Sequence, residues 1–165
     1  NKNANQLSCN EEINSEIYKV MLFNFIEIID LLVSKNFKNF SIVHIGSTNA
    51  KLISHQSVLY HSIKGAIEST NRAIAYKLAP KNIRSNIIVP GIVKDYDMKE
   101  NISVNEKVSI PLKRGAAKPK DIGELVYFLI SDASKYITGS SILIDSGLSL
   151  PDSFTILDKL NELKS

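Results

Sequence analysis

The sequence predicts an α/β protein of the doubly wound kind, a parallel sheet covered by helices on both faces. Helix-like and strand-like segments alternate along the 165 residues. The strand-like runs are short and apolar throughout rather than alternating, the pattern of strands buried on both faces. Two of them close on turns that carry glycine, Gly46-Ser47-Thr48 and Pro90-Gly91.

Taken in order, Glu11 to Ser34 reads as a helix, and from Val20 to Val33 it is apolar on almost every side (Met21, Phe23, Phe25, Ile26, Ile28, Ile29, Leu31, Leu32). A helix of that composition needs cover all round, from a sheet and from another chain. Lys35 to Phe40 is a polar turn, and Ser41-Ile42-Val43-His44-Ile45 is a buried strand. The second helix spans about Ser57 to Leu78, with Leu59, Ile63, Ala66, Ile67, Ile74 and Leu78 at helical spacing, and Pro80 stops it. Ile83 to Val89 is the second strand. A polar loop, rich in charge from Lys94 to Lys107, leads to Pro119, which opens a third helix carrying Ile122, Leu125, Val126 and Leu129. Ser141 to Asp145 is the third strand. Pro151 to Ser165 reads as an amphipathic helical tail to a partial domain at 1–150. Doubly wound sheets usually have five strands or more, so three strands predict a half-domain whose remaining strands come from a partner or from an upstream segment.

Composition narrows the function. With 44% apolar and 22% charged residues the chain is of the globular class. The net charge of +3 is spread along the length without a basic stripe, which argues against nucleic acid as a partner. Cys9 is the single cysteine; it forms no internal disulfide and has no second thiol for a metal site, so a reducing cytoplasm is expected. No apolar run approaches the ~20 residues of a membrane span, and the polar start Asn1-Lys2-Asn3-Ala4-Asn5 is unlike a signal peptide. His44, His55 and His61 lack metal spacing and read as structural or exposed; His55 lies in a loop that could touch substrate. No metal is expected.

Tyr60 and Lys64 are four apart on the second helix and share a face. The pairing has chemical sense, because a tyrosine works as general acid/base near neutral pH only if its ordinary pKa of about 10 falls by about 3, worth roughly 4 kcal/mol. One ammonium at about 4 Å in an effective dielectric of about 20 supplies about 4 kcal/mol. Such a pair also needs a donor to hold the substrate oxygen. Ser47 stands at the carboxyl end of a strand, where doubly wound folds bind ligands, and just upstream of Tyr60.

Ile45-Gly46-Ser47, Tyr60-His61-Ser62-Ile63-Lys64 and Ile83 through Pro90-Gly91 resemble, in order and spacing, the Ser, Tyr-x-x-x-Lys and Pro-Gly signatures of the short-chain dehydrogenase/reductase family. Ser131-Asp132, Tyr136-Ile137-Thr138-Gly139 and Asp145-Ser146-Gly147 resemble the stretch with which those proteins end. The resemblance runs from about Glu11 to Gly147. It implies a Rossmann-like fold and hydride transfer between NAD or NADP and a small secondary alcohol or carbonyl. It casts Tyr60 as proton donor or acceptor, Lys64 as the cation that favours the ionised tyrosine and holds the ribose hydroxyls, and Ser47 as the group that binds the substrate oxygen. It places Tyr60, Lys64, Pro90, Gly91 and Val93 at the cofactor, with the Val93 backbone meeting the nicotinamide carboxamide. It also implies a homodimer or homotetramer built through the two long helices.

The chain departs from the family pattern in four places. Its seven glycines are never closer than eight residues apart, so it holds no Gly-rich pyrophosphate turn, and the N-terminal cofactor half that separates NAD from NADP is expected to be absent from these residues. The family's helix asparagine aligns with Val20; because that position acts largely through its backbone carbonyl, Val20 need not abolish activity. Asp95 stands where a cofactor-contacting threonine is usual, and Ser146 where glycine is usual. These departures motivate an alternative, a degenerate non-catalytic copy that serves as a dimerising or scaffold subunit.

Overall fold

The computed structural model describes residues 11–54, 58–94, 108–112 and 114–163. Residues 95–107, with Asp95, and His55 lie outside them, as does Cys9, so the polar loop expected from Lys94 to Lys107 falls almost wholly outside the described residues.

The first helical run has two α-helical parts, α1 (Glu11–Tyr18) and α2 (Asn24–Ser34), joined by a five-residue π-helical segment, Lys19–Phe23. Strand β1 (Ser41–Ile45) follows, then a 3₁₀ turn at Thr48–Ala50 and the long helix α3 (Val58–Leu78). Strand β2 (Arg84–Pro90), helix α4 (Pro119–Ile130), strand β3 (Ser141–Ile144) and helix α5 (Ser153–Glu162) complete the described chain. Pro119 occupies the first turn of α4, where its missing N–H is no loss, and the Asp121 carboxylate accepts from the Lys118 N–H at 2.7 Å. Asp152 caps α5 by accepting from the Thr155 N–H at 2.8 Å.

The three strands form one parallel sheet in the order β1-β2-β3. Ile45 of β1 pairs with Ile88 of β2, and Pro90 of β2 pairs with Ile144 of β3, so all three carboxyl ends leave along one edge. Strand β2 lies in the middle and is buried from Ser85 to Pro90. Around it sit two apolar clusters: Leu22, Ile63, Ile67, Ile87 and Val89 join the π-helical segment, α3 and β2, while Ile29, Ile42, Leu78 and Ile83 join α2, β1 and the end of α3. Burial of each such side chain contributes roughly 1.5–3 kcal/mol.

Two sequence expectations need adjustment. Ile83 precedes β2 because its N–H bonds back to the Leu78 carbonyl; pairing starts with the Arg84 N–H on the Phe40 carbonyl. The apolar stretch from Val20 to Val33 is covered on one side, with Leu22 and Ile29 buried, whereas Val20, Phe23, Ile28 and Leu31 are more than half, or about half, exposed. Among the described residues no helix is long and apolar enough to cross a membrane.

Candidate functional site

Two polar side chains of β2, Arg84 and Asn86, anchor the segment that precedes β3, and a third, Ser85, bonds to α3. Arg84 donates to the carbonyls of Ser131 and Ile137, at 3.1 and 3.3 Å. The Asn86 amide donates to the Ile137 carbonyl at 2.8 Å and accepts from the Ser140 N–H at 3.1 Å. Ser85, fully buried, donates to Asn71 Oδ1 at 2.8 Å and so ties the strand to α3. These bonds satisfy polar groups that would otherwise be buried without partners, and they fix the sheet on which the carboxyl edge is built.

At that edge Gly46 and Gly91 stand where no larger residue fits. A Cβ on Gly46 would lie 2.7 Å from Ile87 Cδ1, and one on Gly91 would lie 2.8 Å from Asp145 Cβ and 2.9 Å from Asp145 Cα. The Gly91 N–H bonds to the Ile144 carbonyl at 3.1 Å. Asp145 is buried and accepts from the N–H groups of Gly147, at 2.9 Å, and Ser149, at 2.8 Å. Burial raises its pKa, but the bonds from Ser149 and Gly147 outweigh burial and hold the carboxyl below its ordinary value. Ser146, the residue that stands where glycine is usual, adopts a φ of 55°.

Ser47 lies two residues beyond β1 and caps the 3₁₀ turn: its Oγ accepts from the Asn49 N–H at 3.2 Å. With one lone pair engaged, the hydroxyl proton remains to be donated elsewhere. Tyr60 lies in the first turn of α3, and Lys64 one turn on. The Lys64 ammonium is 5.6 Å from the centre of the Tyr60 ring and reaches the Ile45 carbonyl at 3.5 Å, two residues before Ser47. The helix period brings Tyr60 and Lys64 to one face, and Lys64 reaches the end of β1. Burial lowers the Lys64 pKa from its ordinary value. Next to Lys64, His44 is pushed down to about 4, by burial first and by the Lys64 charge second. Its ring stands edge-on to Phe25 with centroids 4.0 Å apart, and its Nδ1 is buried with no hydrogen-bond partner among the described residues.

Three residues past the end of β2, Val93 forms an isolated parallel bridge with Ala117. The bond of that bridge comes from the Lys94 N–H to the Ala117 carbonyl at 2.9 Å, so the N–H and C=O of Val93 point to the opposite side of the chain. Val20 falls inside the π-helical segment. Among the described residues no cluster of three or more metal-ligating side chains occurs.

From sequence His61 reads as structural or exposed, and Asn49 carries no signal at all. The His61 Nδ1 lies 2.7 Å from the Asn49 carbonyl oxygen. The bond joins α3 to the turn that carries Ser47, and its acceptor is backbone, which no residue type announces. The position of a histidine beside Tyr60 was the one available signal.

A parallel sheet with a serine past the end of one strand and a Tyr-x-x-x-Lys pair on the next helix is a Rossmann-like framework. A protein-family model described as Enoyl-(Acyl carrier protein) reductase matches residues 1–149. The chain is 34% identical over 112 residues to a 3-oxoacyl-acyl-carrier-protein reductase of Chlamydia pneumoniae, covering 66% of this chain and 44% of that protein. It is 32% identical over 113 residues to L-rhamnose 1-dehydrogenase (NAD(P)(+)) of Azotobacter vinelandii, covering 66% and 44%. A short chain dehydrogenase family protein from Francisella tularensis superposes with a TM-score of 0.70 at 33% identity, over 85% of this chain and 63% of that one. An apo SCOR enzyme from Clostridium thermocellum superposes with a TM-score of 0.75 at 30% identity, over 88% and 57%. The chain belongs to the short-chain dehydrogenase/reductase family. It spans about half the length of the curated relatives it matches.

Proposed function

We propose that this chain carries the proton-transfer side of an NAD(P)-dependent oxidoreductase that interconverts a secondary alcohol and a carbonyl. The observation that carries the reading is the placement of Lys64, whose ammonium lies over the Tyr60 ring and reaches the Ile45 carbonyl, two residues before Ser47. In the reducing direction the Tyr60 hydroxyl gives its proton to the substrate oxygen. Ser47, its Oγ engaged by the Asn49 N–H, donates a hydrogen bond to that oxygen, keeping its own proton, and stabilises the negative charge that develops there. Lys64, partly desolvated, keeps its ammonium 5.6 Å from the centre of the Tyr60 ring.

The residues present fit the nicotinamide end of a cofactor. The Val93 backbone groups face away from Ala117 and would meet a carboxamide, and Lys64 would hold ribose hydroxyls. Pro90 and Gly91 shape the corner between them, packed against Asp145. The bound cofactor supplies or takes the hydride. The reading assigns the pyrophosphate turn to residues other than these 165. A homodimer or homotetramer through the long helices is part of it, since Val20 and Phe23 of the π-helical segment and Ile28 and Leu31 of α2 are exposed apolar side chains.

The test uses the full-length protein, with NADH and NADPH titrated by fluorescence and turnover measured on a 3-oxoacyl thioester, L-rhamnose and glucose, substrates of the kind for which its relatives are named. Tyr60→Phe should lower turnover about 100- to 10,000-fold while cofactor still binds. Retained turnover would overturn the mechanism, and no binding of either nucleotide would favour the non-catalytic scaffold reading.

A further inference from the structure

One stripe of α3 grips the segment that carries Ser47. His61, Lys64 and Glu68 follow at i, i+3 and i+7, the spacing of a single helical face. Each reaches a different point of the chain between the end of β1 and the turn. Lys64 Nζ meets the Ile45 carbonyl at 3.5 Å, His61 Nδ1 meets the Asn49 carbonyl at 2.7 Å, and the buried Glu68 carboxylate pairs with Lys51 Nζ at 3.0 Å. The three contacts are unequal. Lys51 is largely exposed, so solvent screens its pair with Glu68, and the Lys64 bond is long. The His61 bond is short and belongs to a half-buried ring that stands edge-on to Tyr60, with centroids 6.4 Å apart.

Asn49 is the hinge of the arrangement. Its carbonyl accepts from His61, and its N–H donates to Ser47 Oγ. A carbonyl oxygen only accepts, so Nδ1 carries the imidazole proton, and Nε2, buried and without a partner among the described residues, is the lone-pair nitrogen. The tautomer of His61 is thereby set by the backbone of the turn it holds.

We propose that His61 is a positioning residue for the reaction: by clamping the Asn49 carbonyl to α3, it fixes the Asn49 N–H that orients the Ser47 hydroxyl toward the substrate oxygen beside Tyr60. The inference rests on the proposed function and deepens it. Removing the clamp leaves substrate and cofactor contacts in place but lets Ser47 wander, and small misplacements of a transition-state donor lower kcat far more than they raise KM.

The experiment is a double-mutant cycle in the full-length protein, on the substrate of that panel turned over fastest. His61→Ala should lower kcat about 10- to 100-fold with KM changed less than about threefold. His61→Asn, whose Nδ2 lies where Nδ1 does, should restore kcat to within about threefold of the parent. In a Ser47→Ala background, His61→Ala should add less than about a twofold loss, because the group it positions is gone. An equal fold-loss in both backgrounds, or no loss of kcat while Tyr60→Phe abolishes turnover, overturns the positioning role and leaves the reaction standing. If Tyr60→Phe retains turnover, the reaction itself falls and the role with it. Should His61→Ala fail to fold, His61→Asn against His61→Gln makes the same comparison; Gln sets its N–H farther out, and equal kcat in the two overturns the proposal.

Discussion

Acidification from about pH 7.5 to about pH 4.5 should weaken this protein through His44, and replacing His44 by Gln should remove that part of the loss. The imidazole is half-buried against Phe25, its Nδ1 shielded from solvent, and the Lys64 ammonium opposes any second positive charge. Its folded pKa of about 4 lies below the ordinary 6.5. Above about 6.5 the ring is neutral in both the folded and unfolded states, and His44 makes stability independent of pH. Between about 4 and 6.5 the unfolded chain holds a proton that the folded one refuses, so stability falls as pH falls; below about 4 the whole penalty is present. A displacement of that size corresponds to about 3 kcal/mol at most. Partial exposure of the ring discounts it to about 1–2 kcal/mol. Urea unfolding of parent and His44→Gln across this window measures the difference, since other titrating groups contribute equally to both. Parallel pH profiles for the two proteins, or a His44 ring that titrates near 6.5 by NMR, would refute the reasoning. Lys64→Met should raise the His44 pKa, because it removes the second of the two causes.

Other substitutions probe the carboxyl edge of the sheet. Gly91→Ala forces a Cβ against the backbone of Asp145 and should cost about 1–3 kcal/mol in denaturant unfolding. Ser146→Gly should do the reverse, raising stability by about 1 kcal/mol, because a left-handed φ of 55° penalises a serine side chain and not a glycine. Asp145→Ala strands the N–H groups of Gly147 and Ser149 and should cost about 1–3 kcal/mol, with the mutant losing the acid-sensitive stability that the parent keeps above the ordinary aspartate pKa of 3.8 and sheds as pH falls below it.

Much of the framework was legible because it is written in side chains. The β-rich runs at Ser41 to Ile45 and Ile83 to Val89 were legible as parallel strands, although only the middle strand, β2, is buried along its length while β1 buries Ile42 alone; the four-residue spacing of Tyr60 and Lys64 put both on one helix face. What escaped reading is written in the backbone. The π-helical segment at Lys19–Phe23 depends on a shift of hydrogen-bond partner, Asn24 N–H to the Lys19 carbonyl, for which no residue at that position is diagnostic. The link from His61 to Ser47 runs through both peptide groups of Asn49. The apolar helix surface was legible as surface needing cover, but composition does not say which chain provides it, and Val20, Phe23, Ile28 and Leu31 remain uncovered by this one.

The order of the strands has a consequence for synthesis. The middle strand of the sheet, β2, comes off the ribosome with one neighbour already made, β1, and the other, β3, still to come. Its partner residues Ile142 and Leu143, and the Asp145 that packs on Gly91, follow roughly 50 residues later, an interval of about 3 to 10 s at ordinary translation rates. For that time Ile87, Ile88 and Val89, among the most deeply buried residues of the finished protein, have an open flank that any nascent strand could fill. A pause in translation after Gly91 should therefore lengthen the wait and raise the fraction captured by chaperones or lost to aggregation. Rapid passage through the polar stretch that follows should lower it.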